Sequence, residues 1–136
     1  MRLVSKYQNE LYSLALGLTY DQKNARKFVI KAFEKVLGSY YDDSNETKLK
    51  LYKNLLGSIG VFSIKKKQCK DKSIAGFVKK KLGLFDKKVF ALKYENGLTV
   101  GDICYILNEK PLKIKKALFK SAMLVADILE DKEDEM

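Results

Sequence analysis

The lysines between positions 110 and 120 are the residues whose type and spacing most directly suggest a binding chemistry. Lysine carries a flexible point charge, which suits a phosphate group better than the bidentate recognition of a base. Three of them share one face of a predicted helix, a fourth lies beside that face and a fifth precedes the helix: Lys113, Lys116, Lys120, Lys115 and Lys110. We expect this face to contact nucleic-acid phosphates. The plain alternative is a solvated helix surface.

Base recognition by the same helix is expected to be weak. Residues 111–122 contain no arginine, asparagine or glutamine. Those are the side chains that most often form paired hydrogen bonds with base edges in the major groove. The pattern therefore favours phosphate contact over the selection of a particular sequence.

A second candidate contact lies in the first half of the chain. Tyr40 and Tyr41 are adjacent aromatic residues in a polar loop, and Lys48, Lys50 and Lys53 follow closely. Exposed aromatic rings with neighbouring cations can stack on unpaired bases while the cations contact the backbone. The alternative is that the two rings only cap the helices on either side of the loop.

No set of residues in the chain suggests catalysis. There is no histidine, which excludes His-dependent catalysis and ordinary His/Cys zinc sites. Cys69 and Cys104 are 35 positions apart, a separation that fits neither a disulfide framework nor a metal motif. The adjacent Asp42 and Asp43 lie in a polar loop, where a solvated turn is the favoured interpretation. We expect a protein that is not an enzyme and needs no metal, cofactor or small-molecule substrate.

The overall charge favours a polyanionic partner. Lysine and arginine total 27 against 17 acidic residues, for a formal net charge of +10. The acids are concentrated at one end: residues 127–136 hold six acids and one lysine, so the preceding 126 residues carry +15. Nucleic acid is the commonest partner for such an excess, although a merely lysine-rich protein is the alternative. With neither a signal peptide nor a long apolar run, we expect a cytoplasmic protein with no membrane contact.

Apolar residues recur at steps of three and four along most of the chain, which predicts an all-α fold. Pro111 is the only proline, and the alternation typical of strands is scarce. The pattern predicts a first helix over 4–18, a second that starts after a capping Asn24, and further helices over 47–59, 74–82 and 84–94.

The segment around position 108 follows the local rules of two helices joined by a tight turn. Thr99 with Asp102 three residues later is a capping-box-like start. Asn108 can adopt the left-handed conformation that closes a helix, and Pro111 fits the first turn of the next one. Two helices with a short connection and a basic outer face on the second are typical of a helix-turn-helix.

These elements predict two small helical modules. The first covers 1–66, a basic linker covers 67–76, and the helix-turn-helix module covers 77–129. An acidic tail, 130–136, either serves solubility or folds over the lysine face and competes with DNA. Each module is near the size at which a core is marginal, and the sequence leaves open whether they pack together.

Two stretches also carry a family resemblance. The first is LYSLALGLT at 11–19, followed by the helix over 28–37, LKLYKN at 49–54 and the lysines at 65–67. The second is LFDKKVFALKY at 84–94, GLTVGDICYILN at 97–108 and KIKKALFKSA at 113–122. In this order and spacing the chain resembles a small bacterial sigma factor of the extracytoplasmic-function group. That family has two helical domains, of which the second carries a helix-turn-helix.

The resemblance implies a role in transcription initiation. The helix over 25–36 would bind core RNA polymerase, and the 111–122 helix would lie in the major groove of promoter DNA. An anti-sigma protein is a further partner that membership in this family implies. Residues of the loop and third helix would engage melted promoter DNA: Tyr40, Tyr41, Lys48, Lys53 and Asn54.

The chain departs from the family pattern at informative positions. Where the family has acidic and glutamine residues, this chain has Arg26, Lys27, Ile30 and Lys31, so the charge of the expected polymerase-binding surface is inverted. Arginines of the family's recognition helix are replaced by alanines at positions 117 and 122. Two other hypotheses therefore stand beside the sigma factor. One is a stand-alone helix-turn-helix regulator that dimerises through its first helices, and the other is a protein- or ribonucleoprotein-interaction module.

Overall fold

The computed structural model of the protein describes residues 2–39, 42, 44–65 and 72–134. In these ranges there are seven α-helices and no strand, which confirms the all-α fold class. The helices are α1 (Arg2–Thr19), α2 (Gln22–Leu37), α3 (Asn45–Ser58), α4 (Ile74–Lys81), α5 (Leu84–Phe90), α6 (Val100–Leu107) and α7 (Pro111–Asp134). None of the described helices is both long and apolar enough to cross a membrane.

The starts of the helices are set by side chains that accept the unpaired N–H groups of the first turn. Asp21 caps α2 by accepting a hydrogen bond from the Lys23 amide. The predicted cap, Asn24, is wrong, because the helix begins earlier and Asn24 lies within it. Ser44 and Ser73 cap α3 and α4 in the same way.

The helix predicted over 84–94 is not uniform. It is α-helical as far as Phe90 and then widens into a π-helical segment, Ala91–Glu95. The segment closes with a hydrogen bond from the Asn96 amide to the Ala91 carbonyl, 3.1 Å. Glu95 then meets the ammonium group of buried Lys79 at 2.7 Å, so the π-helical segment ends in an ion pair with α4.

The first three helices pack their apolar faces together, and the same core continues into the second half of the chain. Leu11 of α1, Phe33 of α2 and Leu55 of α3 are among its buried members. Ile103 of α6 and Ile114 of α7 belong to the same cluster. The sequence left open whether the segments 1–66 and 77–129 pack together, and in the structure they share one core.

Polar side chains reinforce the contact between the two halves. The Tyr52 hydroxyl donates to the carboxylate of Glu10 and accepts from the side-chain amide of Asn96 at 3.0 Å. Burial, followed by the hydrogen bond to Glu10, raises the pKa of Tyr52 above its usual value. The Lys88 ammonium donates to the Leu56 carbonyl at 2.6 Å, and burial lowers the pKa of Lys88.

The long helix α7 contributes to two apolar clusters. Its first turns join the main core, and its later turns pack against α4 in a smaller cluster formed by Val78, Leu82, Phe90 and Ile128. The helix continues to Asp134. The first residues of the predicted acidic tail, 130–134, are therefore a continuation of α7.

Candidate nucleic-acid interface

The junction of α6 and α7 has the local geometry that the sequence predicted. The Thr99 hydroxyl accepts a hydrogen bond from the Asp102 amide at 3.1 Å. Asn108 adopts the left-handed conformation, with φ 53° and ψ 52°, and the Glu109 amide bonds the Cys104 carbonyl at 3.0 Å. The helix α7 then begins at Pro111. Three residues, 108–110, connect the two helices.

The orientation of α7 follows from its apolar residues. Ile114, Ala117, Ser121 and Ile128 are buried, at the three-, four- and seven-residue steps of one helix face. The Ser121 hydroxyl is satisfied by donating to the Ala117 carbonyl at 3.1 Å. Because this face lies in the core, the opposite face of α7 points to solvent.

The predicted phosphate-binding lysines all lie on the exposed side of this junction. Lys110 is in the connection, and Lys115 and Lys116 are on α7. In the described part of the chain, none of these three forms an ion pair. An open pocket beside the connection is lined by Cys104, Asn108, Glu109, Lys110, Leu112, Lys113 and Lys116. The arrangement presents exposed cations near a helix N-terminus, where the helix dipole also favours anions.

The other two predicted lysines are held by acids. The Lys113 ammonium lies 2.9 Å from the Glu109 carboxylate and 4.5 Å from the centre of the Phe85 ring. Lys120 lies 3.1 Å from the Asp86 carboxylate. Exposed ion pairs of this kind contribute about 0.2–1 kcal/mol, so a phosphate can displace them. The two acids nevertheless lower the net charge of the lysine face.

Neither of these acids was predicted from the sequence to pair with a lysine, for different reasons. The Glu109–Lys113 pair was detectable, since residues four apart near a helix start lie on one side of it. The pair between Asp86 and Lys120 joins residues 34 positions apart, and no local pattern indicates it. The centre of the outer face was also missed, because Phe119 is an apolar side chain that is 69% exposed there.

The second predicted contact is only partly described. Tyr40 and Tyr41 lie outside the described residues. Lys48 is half-buried, with its ammonium 6.0 Å from the centre of the Tyr52 ring. The Asn54 amide donates to a backbone carbonyl of its own helix, that of Lys50, at 3.0 Å. Lys48 and Asn54, which were predicted to contact DNA, therefore make contacts within α3 instead.

Lys53 connects the two predicted contact regions. Its ammonium lies 4.7 Å from the centre of the Tyr105 ring on α6, and both side chains are exposed. A cation over an aromatic face at this distance is an attractive contact. The exposed edge of α3 is thus directly beside the α6–α7 junction, and the two surfaces are neighbours in the structure.

The residues predicted for polymerase binding form one patch on α2. Arg26, Lys27, Ile30 and Lys31 are all exposed, and their spacing places them on one side of the helix. Ile30 is 56% exposed. The patch is therefore an apolar side chain surrounded by three cations.

No protein-family model matches the chain, and no curated protein matches it. The resemblance to sigma factors consequently depends only on the residues quoted for it above. The described residues include no group of three or more histidines, cysteines and acids placed to hold a metal ion.

Proposed function

We propose that this chain binds double-stranded DNA by placing the first turns of α7 in a major groove, as a helix-turn-helix does. The observation that carries this proposal is the set of exposed lysines at the α6–α7 junction. Lys110, Lys115 and Lys116 surround a helix start that is joined to the preceding helix by three residues. The chain as a whole has a net charge of +10, which attracts a polyanion from a distance.

The binding is proposed to be only weakly selective for sequence. The exposed cations are lysines, and α7 carries no arginine, asparagine or glutamine. Phosphate contacts fix the position of a protein on DNA but carry no sequence information themselves. We therefore expect affinities for unrelated duplexes of one length to be similar.

The salt dependence of binding tests this proposal. Fluorescence anisotropy with two unrelated duplexes measures the association constant across a range of salt concentrations. Three phosphate contacts by the free lysines predict a slope of about −2.7 in a plot of log K against log salt. Affinity that does not fall with salt would refute phosphate binding and would favour the protein-interaction hypothesis.

We further propose that the chain acts as a sigma-like transcription initiation factor, with the α2 patch as its docking surface for core RNA polymerase. An exposed Ile30 among Arg26, Lys27 and Lys31 supports this, because an apolar anchor with a charged rim is typical of a protein-binding surface. Melted promoter DNA would be contacted by Tyr40, Tyr41, Lys48, Lys53 and Asn54.

A binding assay with purified core polymerase tests the sigma-like role. Wild-type protein should bind, and Ile30→Ser should weaken binding while circular dichroism shows unchanged helix content. An exposed serine made outside the α2 patch, Val61→Ser, is the matched control, because Val61 is 66% exposed. Wild-type protein that is folded yet does not bind polymerase would refute the sigma-like role and leave DNA binding untouched.

The stand-alone regulator is supported by a different observation, which is the core that the two halves share. A sigma factor of the family that this chain resembles contacts melted DNA with one domain and an upstream element with the other. Halves that pack together favour contact with one short DNA segment instead. A footprint separates the two roles: one continuous protected segment favours the regulator, and two separated segments favour the sigma factor.

A further inference from the structure

The outer face of α7 carries a row of apolar side chains as well as lysines. Leu112, Phe119 and Met123 are 65%, 69% and 50% exposed, and their steps of seven and four residues place them on one side of the helix. Ala122 lies between Phe119 and Met123, Ala126 follows Met123, and both alanines are also exposed. Single exposed apolar residues are ordinary, but several of them on one helix face are typical of an interaction surface.

The charges on this face are divided between its two ends. Lys115 and Lys116 precede Phe119, whereas Asp127 and Glu130 follow Met123, and all four charged residues are exposed. From Lys115 to Glu130 the outer face therefore changes from basic through apolar to acidic over about 22 Å of helix. A surface with this order is complementary to itself when it is reversed.

We propose that a second copy of this chain docks on the outer face of α7, with the two α7 helices antiparallel. A two-fold axis between Ala122 and Met123 places Lys115 opposite the partner copy's glutamate at position 130. It also places Phe119 opposite the small side chain of Ala126. Each basic end then meets an acidic end, and large side chains meet small ones. A parallel arrangement would bring like charges together at both ends.

The acidic residues at the end of α7 cannot cover Lys115 of their own chain. Because α7 is continuous through Glu130, that carboxylate lies about 22 Å along the helix from Lys115. The hypothesis that the acidic residues cover the lysines of their own chain therefore fails for this part of the tail. In the proposed dimer, the acidic end of one copy covers the lysines of the other copy.

The small size of the contact limits its strength. One helix pair buries less surface than the 1,200 Å² or more that is typical of stable complexes. We expect a dimer that dissociates in the range of about 10 μM to 100 μM. Salt should weaken it further, because the charges at both ends are exposed and are screened.

One consequence rests on the proposed function. Lys115 and Lys116 would be occupied in the dimer, so DNA and the second copy compete for one face. The dimer itself is independent of DNA binding and is measured without DNA. Failure of the DNA proposal would leave it intact.

Sedimentation of the full chain tests the proposal, with charge-reversal variants at the two ends. Lys115→Glu with Lys116→Glu makes both ends of the apolar row acidic, and Asp127→Lys with Glu130→Lys makes both ends basic. Each variant alone should be monomeric, whereas an equimolar mixture should associate at least as strongly as wild type. Phe119→Ser should weaken wild-type association at least about tenfold.

A matched control is available on α2, where Lys23→Glu with Lys35→Glu makes the same change of charge at exposed positions. It should leave association unchanged. Circular dichroism checks that every variant is folded. A wild type that stays monomeric at several hundred micromolar would overturn the proposal, as would a mixture that fails to associate.

Discussion

Replacing Lys115 and Lys116 with glutamine should remove two phosphate contacts and leave the fold unchanged. Both side chains are exposed on the outer face of α7, and the residues that hold α7 in the core lie on the opposite face. Glutamine keeps helix propensity close to that of lysine. Any loss of DNA affinity then reports on charge at this surface.

The magnitude follows from counterion release. Each lost contact reduces the salt slope by about 0.9, so the double variant should show a slope shallower by about 1.8. Relative to a 1 M reference, at which the ionic contribution vanishes, this corresponds to roughly a 60-fold loss of affinity at 0.1 M salt. The loss should be similar for duplexes of unrelated sequence, because phosphates are common to all of them.

The assay is anisotropy titration of a short labelled duplex at several salt concentrations, with protein kept below the concentration at which copies associate. Lys113→Gln with Lys120→Gln provides an internal comparison. These lysines already face Glu109 and Asp86 at 2.9 Å and 3.1 Å. Their replacement should therefore reduce affinity less than replacement of Lys115 and Lys116.

The control removes the same charge elsewhere, with Lys23→Gln and Lys35→Gln on α2. If this control loses as much affinity and slope as the α7 variant, net charge alone drives binding and α7 is not the interface. A loss confined to one duplex sequence, with the slope unchanged, would instead show that α7 recognises bases.

The remaining predictions concern Asp86, Tyr52 and Asn108. Asp86→Asn removes an acid beside Lys120 and should raise DNA affinity by a few-fold at low salt in the same titration; unchanged affinity would place Lys120 outside the interface. Tyr52→Phe leaves two partners of a buried hydroxyl unsatisfied and should cost about 1–3 kcal/mol in urea unfolding. Because the pKa of Tyr52 is raised from 10.0 on folding, wild-type stability should also decline above pH 10, where the unfolded tyrosine ionises first; an equally steep decline in Tyr52→Phe would contradict this assignment. Asn108→Ala should destabilise the fold by about 1 kcal/mol, since φ is 53°, whereas Asn108→Gly should not; equal stability of the two variants by thermal unfolding would argue against strain there.

The all-α class and the α6–α7 junction could be predicted from the sequence because both depend on local rules. A hydroxyl at Thr99, a left-handed Asn108 and a proline at position 111 act within a few residues of themselves. The inner face of α7 follows equally from the repeat of Ile114, Ala117 and Ser121. Helical periodicity assigns a side to each residue without any knowledge of its partner.

Predictions from local rules failed where the sequence allowed two local structures equally well. Asn24 and Asp21 are both good capping residues, and in the structure Asp21 is the one that stands at the helix start. Likewise, steps of three and four residues along 84–94 do not distinguish a uniform helix from one that widens after Phe90.

Only the tertiary structure decided which charges are free and which surfaces are neighbours. Asp86 neutralises Lys120 across 34 positions of the chain, and Lys53 reaches Tyr105 on a helix of the other half. The core shared by the two halves and the exposed row of Leu112, Phe119 and Met123 also depend on how whole helices pack. Composition and periodicity determine which charged and apolar side chains each segment has available for contacts. Packing determines which of those side chains are used within the molecule, because burial of one face of α7 leaves its opposite face to solvent.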